Sequence, residues 1–496
     1  MENEKRLLRE RAVCVIIPTY NNHDTIRKVV DDALTYCDDV IVVNDGSTDG
    51  TKDILDTISA IQIVSYETNR GKGYALKKGF MYARDKGYAY AITIDADGQF
   101  YARDILNFLK ANQQHPGALI IGQRIFKGAE RTRGSKFANG FSNFWFCIQT
   151  GRKFKDTQTG YRLYPIKKLK GVSLLTSKYE AELELLVFSS WHGIEIVPID
   201  VDVYYPPKEE RISHFRPATD FFRISLLNTV LCFLAVVYGL PLRFCRFMMK
   251  WIRTVYAAVF FAFFSLLVFS PWAWILSHLG GMTERKHHRI HKLIYKASRF
   301  IMIWHGIPGV KFKYDISPGV SFDKPRVVIC NHQSHIDLTC QLIFTPNIIF
   351  LTNKKVWNSL FYGQIIRNAE FLPTGDDIET LLPKLRALVD KGYNIALYPE
   401  GTRSLNGRIG RFHKGAFYIA QQLGLDILPM FLYGTGKVLK KKTRHLNKGQ
   451  VYVMVDKPII REKLKEVGDL QKQASMMHKY YVERYECLAN KIEQNA

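Results

Sequence analysis

Short apolar runs that end in polar turns recur through the first part of the chain. Val13-Cys14-Val15-Ile16-Ile17-Pro18 leads into Thr19-Tyr20-Asn21-Asn22, and Val40-Ile41-Val42-Val43 leads into Asn44-Asp45-Gly46-Ser47-Thr48-Asp49-Gly50. A third run, Ala91 to Ile94, ends in Asp95-Ala96-Asp97-Gly98-Gln99. Each reads as a buried strand reaching a functional loop, and the stretch from Asp24 to Leu34 reads as a helix. Strands alternating with helices predict an α/β domain with a mainly parallel sheet, its working loops at the carboxyl ends of the strands. The charged segment Met1 to Arg11 is expected to run directly into the first strand, with no cleavable signal peptide.

The pattern changes in the middle of the chain. Phe221 to Leu240 is apolar with one early charge, Arg223, and Thr254 through Ser277 carries none. Each matches the roughly 20 apolar residues that cross a bilayer, although the first also suits a buried core helix. Arg243, Arg246, Lys250 and Arg253 form a basic connector between them, and exporting such a loop opposes the preference for positive charge inside. A monotopic or re-entrant anchor is therefore expected, with a two-pass hairpin as the alternative. Pro271 and the basic flank Arg285 to Arg289 fit a helix pair that dips and returns. His287 and His291 are spaced to share a helix face, which is expected to lie near lipid headgroups rather than to hold a metal. The tail from Glu462 to Ala496 is charged and helix-like.

At 496 residues the chain exceeds what one core supports. Three regions are expected: 1–218, a membrane-anchoring helical region 219–300, and 301–496, giving an α/β, helical, α/β order. Lys and Arg total 70 against 46 acidic residues, a net charge of +24. That balance fits an anionic membrane surface or phosphorylated substrates. Nucleic acid is disfavoured, because the charge is scattered and no nucleic-acid motif is present. The eight cysteines have no metal-ligand spacing and read as reduced thiols of a cytosol-facing protein.

Four stretches carry candidate chemistry. Asp95 and Asp97 flank one residue, so both carboxylates can meet a divalent cation on a diphosphate, and Gly71-Lys72-Gly73 is a flexible basic turn able to approach a phosphate. Asn331-His332-Gln333-Ser334-His335-Ile336-Asp337 sets a His near an Asp, the general-base pair that acyl transfer to a hydroxyl requires. Tyr398-Pro399-Glu400-Gly401-Thr402-Arg403-Ser404 offers an acceptor-binding turn, with an Arg suited to phosphate.

Residues from about Ala12 to Arg216 resemble glycosyltransferase family 2, of GT-A fold, and within it the polyprenyl-phosphate sugar synthases. The resemblance implies that Pro18, Thr19, Tyr20 and Asp45 line the nucleoside pocket, with Lys72 and Asp95 also on the nucleotide-sugar. It makes Asp95, Asp97 and Gln99 the metal ligands and puts Arg124, Arg133 and Ser135 on the acceptor phosphate. Asp156-Thr157-Gln158-Thr159-Gly160-Tyr161-Arg162 matches a later motif near the acceptor, where Asp156 is the candidate base for a hydroxyl acceptor. Residues from about Val327 to Ile459 resemble the glycerolphosphate/lysophosphatidic acid acyltransferase family. There His332 and Asp337 match the catalytic pair, and Glu400, Gly401, Thr402 and Arg403 match the acceptor-binding motif. Gly363 to Arg367 with Phe371-Leu372-Pro373 resembles the block whose Arg meets the acceptor phosphate, and Ile427-Leu428-Pro429 resembles the fourth block.

Together these imply a bifunctional bacterial-type membrane enzyme of glycolipid assembly on the cytoplasmic face of the inner (plasma) membrane. Sugar would pass from a nucleotide-sugar donor to a lipid-borne acceptor with Mg2+ or Mn2+. An acyl chain would pass from acyl-carrier protein or acyl-CoA to a lipid hydroxyl without a cofactor. The alternatives are a polyprenyl-phosphate sugar synthase fused to an independent phospholipid acyltransferase, or one active enzyme whose other domain is a membrane-binding module.

Overall fold

A computed structural model of the chain describes residues 2–125, 133–169, 176–204, 217–264, 283–305, 307–358, 363–374, 378–405 and 407–494, with a few isolated positions between 265 and 282. The chain divides into two compact units, Met1–Arg246 with Ile492–Ala496, and Phe247–Lys491.

The first unit is built on a seven-stranded sheet of β1 (Val13–Thr19), β2 (Val40–Asp45), β3 (Gln62–Tyr66), β4 (Tyr90–Thr93), β5 (Leu119–Ile125), β6 (Arg162–Pro165) and β7 (Ile196–Asp202), in the order β3-β2-β1-β4-β6-β5-β7. β1 is buried along its whole length because both faces are covered, as its unbroken apolar run requires. Val13, Val15 and Ile17 face a core shared with the helix His23–Tyr36, while Cys14 and Ile16 face one shared with the helix Lys72–Asp85. Parallel register sets Thr19 beside Asn44 and Asp45 beside Tyr66, so the loops after β1, β2 and β3 emerge together. β6 runs antiparallel to β4 with Arg162 opposite Thr93, which returns the Asp156–Gly160 loop to the carboxyl end of β4.

Two local expectations change. The N-terminal segment is not a plain lead-in: Glu2–Glu10 is a helix whose Leu8 is buried in the β1 core. Gly71-Lys72-Gly73 is not a free turn. Gly71, at φ +96°, caps the helix Lys72–Asp85, so Lys72 and Gly73 belong to its first turn.

The basic connector is not a loop either. Residues Pro217–Leu234, a π-helical turn Ala235–Gly239 and Leu240–Phe263 run as one helix, of which Phe221–Phe263, 43 residues, is long and apolar enough to cross a membrane. The π turn stands just ahead of Pro241, whose ring would otherwise clash with the carbonyl one turn back. Arg243 donates to the Thr150 carbonyl at 2.8 Å in the first unit. In the second, Arg253 donates to the carbonyls of Pro308 and Leu446, and Leu446 N–H donates to Thr254 Oγ1. The arginines thus satisfy backbone acceptors, and no turn forms at the connector. Much of the apolar face is uncovered, including Phe222, Phe233, Phe247, Trp251, Ile252, Val259 and Phe263. The later part of the expected second stretch, beyond Phe264, falls mostly outside the described residues.

The second unit carries another seven-stranded sheet: β8 (Val310–Ile316), β9 (Val327–Cys330), β10 (Ile348–Asn353), β11 (Leu372–Thr374), β12 (Asn394–Leu397), β13 (Ile427–Tyr433) and β14 (Gly449–Val455), in the order β11-β10-β12-β9-β13-β14-β8. β9 lies centrally and parallel to β12 and β13, so the loops after all three leave the same edge. The C-terminal helix Leu470–Gln494 is locked beneath them: the buried Tyr481 hydroxyl donates to the Ile329 carbonyl at 2.7 Å and accepts from Met430 N–H at 3.1 Å. His291, expected on a lipid-facing surface, is instead a core residue of the helix Glu284–Arg299. It packs on Tyr393 and Phe371, and burial pushes its pKa down to about 4.

Candidate functional sites

At the carboxyl edge of the first sheet, Lys72 Nζ lies 2.7 Å from Asp95 Oδ1 and 2.9 Å from Glu182 Oε2. Burial works against the Lys72 charge, but Asp95 and then Glu182 outweigh it and hold its pKa above the usual value. Asp97 accepts from Gln99 N–H at 3.0 Å, and burial followed by the nearby Asp95 charge pushes its carboxyl up to about 6. Crowded carboxylates of this kind suit a cation. Among the described residues no three His, Cys, Asp or Glu side chains form a closed cage. Gly160 leaves room there: a Cβ on it would fall 2.5–2.7 Å from the Asp95 oxygens and Lys72 Nζ. Thr93 Oγ1 donates to the Gly160 carbonyl at 2.6 Å, tying the Asp156–Gly160 loop to the Asp95 strand.

Other predicted residues have different tasks. Asp45 is buried and accepts from Arg70 N–H and Gly71 N–H, both at 2.8 Å, so it fixes the turn that starts the Lys72 helix. Thr19 Oγ1 donates to Asn22 Oδ1 at 3.2 Å, and Pro18, Thr19 and Tyr20 stand at the end of β1. Asp156 is not placed as a base. It is buried and gripped in a fork by Arg124, at 2.6 Å through Nε and 3.0 Å through Nη2, and also accepts from Gln158 N–H. The same pairing occupies two of the Arg124 donors expected for the acceptor phosphate. The side chains of Arg133 and Ser135 lie outside the described residues. Arg162, fully buried, donates to the carbonyls of Thr157, Thr159 and Glu182 and so holds the loop from behind. Sequence reasoning missed Glu182. Its signal was the alternation Glu180, Glu182, Glu184 in an otherwise apolar helix, Glu180–Trp191, in which all three are buried.

In the second unit, His332 and Asp337 meet as the spacing implies. His332 Nδ1 and Asp337 Oδ2 are 2.8 Å apart, and the same oxygen accepts from Gln333 N–H at 2.6 Å and Ser334 N–H at 2.8 Å. The carboxylate is fully buried. With Nδ1–H donated to Asp337, Nε2 keeps a lone pair. The imidazole stacks on Tyr398, centroids 3.9 Å apart at 15°, and Gln341 fixes the Tyr398 hydroxyl at 2.8 Å.

The two motifs interlock through the backbone. Glu400 Oε1 accepts from His332 N–H at 2.8 Å, Oε2 accepts from Gly410 N–H at 2.7 Å, and Ser404 N–H donates to the His332 carbonyl at 2.8 Å. Glu400, expected on the acyl acceptor, is therefore buried beneath the histidine loop, and burial pushes its carboxyl up to about 7 against the pull of those two amides. Gly401 follows at φ +66°, a conformation that favours glycine, and both it and Thr402 are exposed. Lys441 Nζ reaches Thr402 Oγ1 at 3.2 Å and the Arg403 carbonyl at 2.6 Å. Arg367 is exposed, its guanidinium over the Trp357 ring and Nη1 on the Trp357 carbonyl at 3.0 Å. Gln333 donates to Tyr485 at 2.7 Å and to the Gly407 carbonyl at 3.0 Å, a link from the C-terminal helix that the sequence did not reveal.

Comparison with known proteins follows the same division. Residues 14–166 match Glycosyl transferase family 2, and residues 311–433 match the family described as Acyltransferase. Glycosyltransferase AglJ of Haloferax volcanii is 29% identical over 218 residues, 42% of this chain and 68% of that protein. The UDP-N-acetylglucosamine–dolichyl-phosphate N-acetylglucosaminyltransferase of Methanococcus voltae is 26% identical over 40% of this chain and 87% of its own. A chloroplastic 1-acyl-sn-glycerol-3-phosphate acyltransferase of Brassica napus is 34% identical over 145 residues, 28% of this chain, and the chain spans only 42% of that relative's length.

Proposed function

For a chain that carries a glycosyltransferase family 2 domain and an acyltransferase domain, we propose a bifunctional membrane enzyme of glycolipid synthesis. It transfers a sugar from a nucleotide-sugar to a lipid-borne acceptor and an acyl group to a lipid hydroxyl. What supports the reading is that each sheet gathers charged side chains at its own strand ends: Lys72–Asp95–Asp97 beside Gly160, and His332–Asp337 on Tyr398.

In the acyltransferase half, His332 Nε2 takes the proton of the acceptor hydroxyl as its oxygen attacks the thioester carbonyl. The thiolate leaves and receives that proton from His332, while Asp337 stabilises the passing imidazolium. Arg403, Thr402 and Lys441 at the rim suit the phosphate of a lysophosphatidate-like acceptor, the substrate class for which the Brassica relative is named. In the other half, Asp95, Asp97 and Gln99 would hold Mg2+ or Mn2+, which when bound neutralises the leaving diphosphate. Lys72 supplies a fixed positive charge to the same group. A phosphate acceptor, as in the Methanococcus relative's name, is already ionised and needs no base, consistent with Asp156 being committed to Arg124.

The long helix supports membrane attachment parallel to the surface. At about 1.5 Å per residue, 43 residues extend ~65 Å, twice the hydrocarbon thickness. Arg243, Arg246, Lys250 and Arg253 lie in its middle, where burial in lipid costs about 3 kcal/mol each. An interfacial position on the cytoplasmic face avoids that cost and leaves both sites open to cytosolic donors.

The test is to supply detergent-solubilised full-length protein with labelled UDP- and GDP-sugars plus polyprenyl phosphate, and separately with acyl-CoA or acyl-carrier protein plus lysophosphatidic acid. His332→Ala should lose only acylation, by about 10²–10⁴-fold, and Asp97→Asn should lose only glycosylation. Loss of both activities in either variant, or of neither, refutes two independent sites.

A further inference from the structure

Lys72 is shared by two carboxylates, yet only Asp95 belongs to the loop that faces a cation. Glu182 comes from the first turn of the helix Glu180–Trp191, is buried, and has an Oε1 with no hydrogen-bond partner among the described residues. The helix is held on both sides of it: Glu180 pairs with Arg223 at 2.9 Å, and Glu184 accepts from Thr176 N–H at 3.0 Å and Oγ1 at 2.6 Å. The start of the Lys72 helix is pressed onto this region so closely that a Cβ at Gly73 would collide with Ala181 and the Lys178 carbonyl. Glu182 is thus a fixed negative charge behind a lysine whose other partner is wanted elsewhere.

We infer that Glu182 is the standing counter-charge of Lys72, a positioning residue that keeps the ammonium in place when Asp95 turns to a divalent cation; this rests on Asp95 and Asp97 being the cation carboxylates. A buried ammonium that loses one of two anionic partners is destabilised unless another acceptor replaces it. The orphaned Oε1 is that acceptor. With two of its three N–H groups on Glu182, Lys72 keeps the third for a diphosphate oxygen. Without Glu182, Lys72 holds to Asp95 and competes with the cation.

The experiment measures Mn2+ affinity by the EPR signal of free Mn2+, with Mn2+ alone and with added UDP or GDP, on full-length protein. The variants are Asp97→Asn, Glu182→Gln, Glu182→Asp, Lys72→Met and Lys72→Met/Glu182→Gln, each checked for folding by circular dichroism and thermal melting. Glu182→Gln should weaken Mn2+ binding about tenfold or more, the scale of one charge-assisted hydrogen bond, and Glu182→Asp should recover part of it. In the Lys72→Met background the same substitution should change affinity less than about twofold, because the competitor is gone. An equal loss in both backgrounds overturns the inference and makes Glu182 act on the cation itself, and no loss in either overturns it outright. Equal Mn2+ binding by wild type and Asp97→Asn fails the cation assignment instead, and the inference falls with it.

Discussion

Replacing Glu400 by Gln tests whether this residue touches the acyl acceptor or holds the histidine loop. Its two oxygens accept from His332 N–H at 2.8 Å and Gly410 N–H at 2.7 Å. A glutamine amide has one acceptor oxygen, so one N–H keeps its partner and the other meets an NH2 group. Above about pH 7, where Glu400 is ionised, the lost contact is a hydrogen bond to a charged group, about 1.5–3 kcal/mol. Because that bond sets the backbone of the general base, the loss should appear in the transition state, and each 1.4 kcal/mol is about a factor of ten in rate. A fall in kcat of roughly 10- to 100-fold is expected, with the KM for lysophosphatidic acid changed less than about threefold. The assay is steady-state acyl transfer in detergent micelles, with sugar transfer by the same preparation as the control for folding. A raised KM with kcat intact would place Glu400 on the acceptor and refute the positioning argument; wild-type kcat and KM would show that the amide contacts do not matter.

The same residue makes a pH prediction. Its folded pKa of about 7 lies above the ordinary 4.5, so its contribution to stability is whole below about 4.5 and is lost as pH rises through about 7. Wild type should therefore lose on the order of 3 kcal/mol across that window relative to Glu400→Gln, read from denaturant midpoints; parallel pH profiles would be the contrary result. Asp156→Asn should lower stability by about 3 kcal/mol, because it strands the Arg124 charge. A large loss of sugar-transfer kcat without any drop in melting temperature would restore Asp156 as a base. A Cys at Phe247, exposed on the long helix, should react with an impermeant thiol reagent only after cells are broken, once the native cysteines are replaced. Labelling of intact cells would refute attachment along the cytoplasmic face.

The strand-end loops were legible because their signal is local: an apolar run fixes the strand, and parallel order fixes which end its loop leaves. The His332–Asp337 pairing was legible for the same reason, since the spacing closes within one turn onto the helix Asp337–Leu342. The long helix was misread because four basic residues look like a polar loop. A guanidinium at the end of a flexible stem reaches past its own helix, and Arg243 and Arg253 use that reach to bind carbonyls of Thr150, Pro308 and Leu446. The alternation Glu180, Glu182, Glu184 marked Glu182 as unusual, but its task was illegible because its partner, Lys72, is distant in sequence.

The harder failure concerns carboxylates inside recognised motifs. A functional loop at a strand end leaves the ladder and therefore carries backbone N–H groups that need acceptors. A motif acid can serve the substrate or those amides, and its letter in the sequence is the same either way. Asp45 serves Arg70 and Gly71, and Glu400 serves His332 and Gly410, while Asp156 serves Gln158 together with Arg124. Asp337 gathers both kinds of donor at one oxygen, accepting from two amides and lying against the imidazole. Asp95 and Asp97 differ in kind. Asp95 is balanced by a lysine side chain, and Asp97 accepts from the Gln99 amide of its own turn, so these two face charged groups and local backbone rather than the amides of a distant loop. The distinction between acids that organise and acids that act thus comes from where each oxygen's donors originate, and it separates Glu400 from its motif neighbours more sharply than any spacing does.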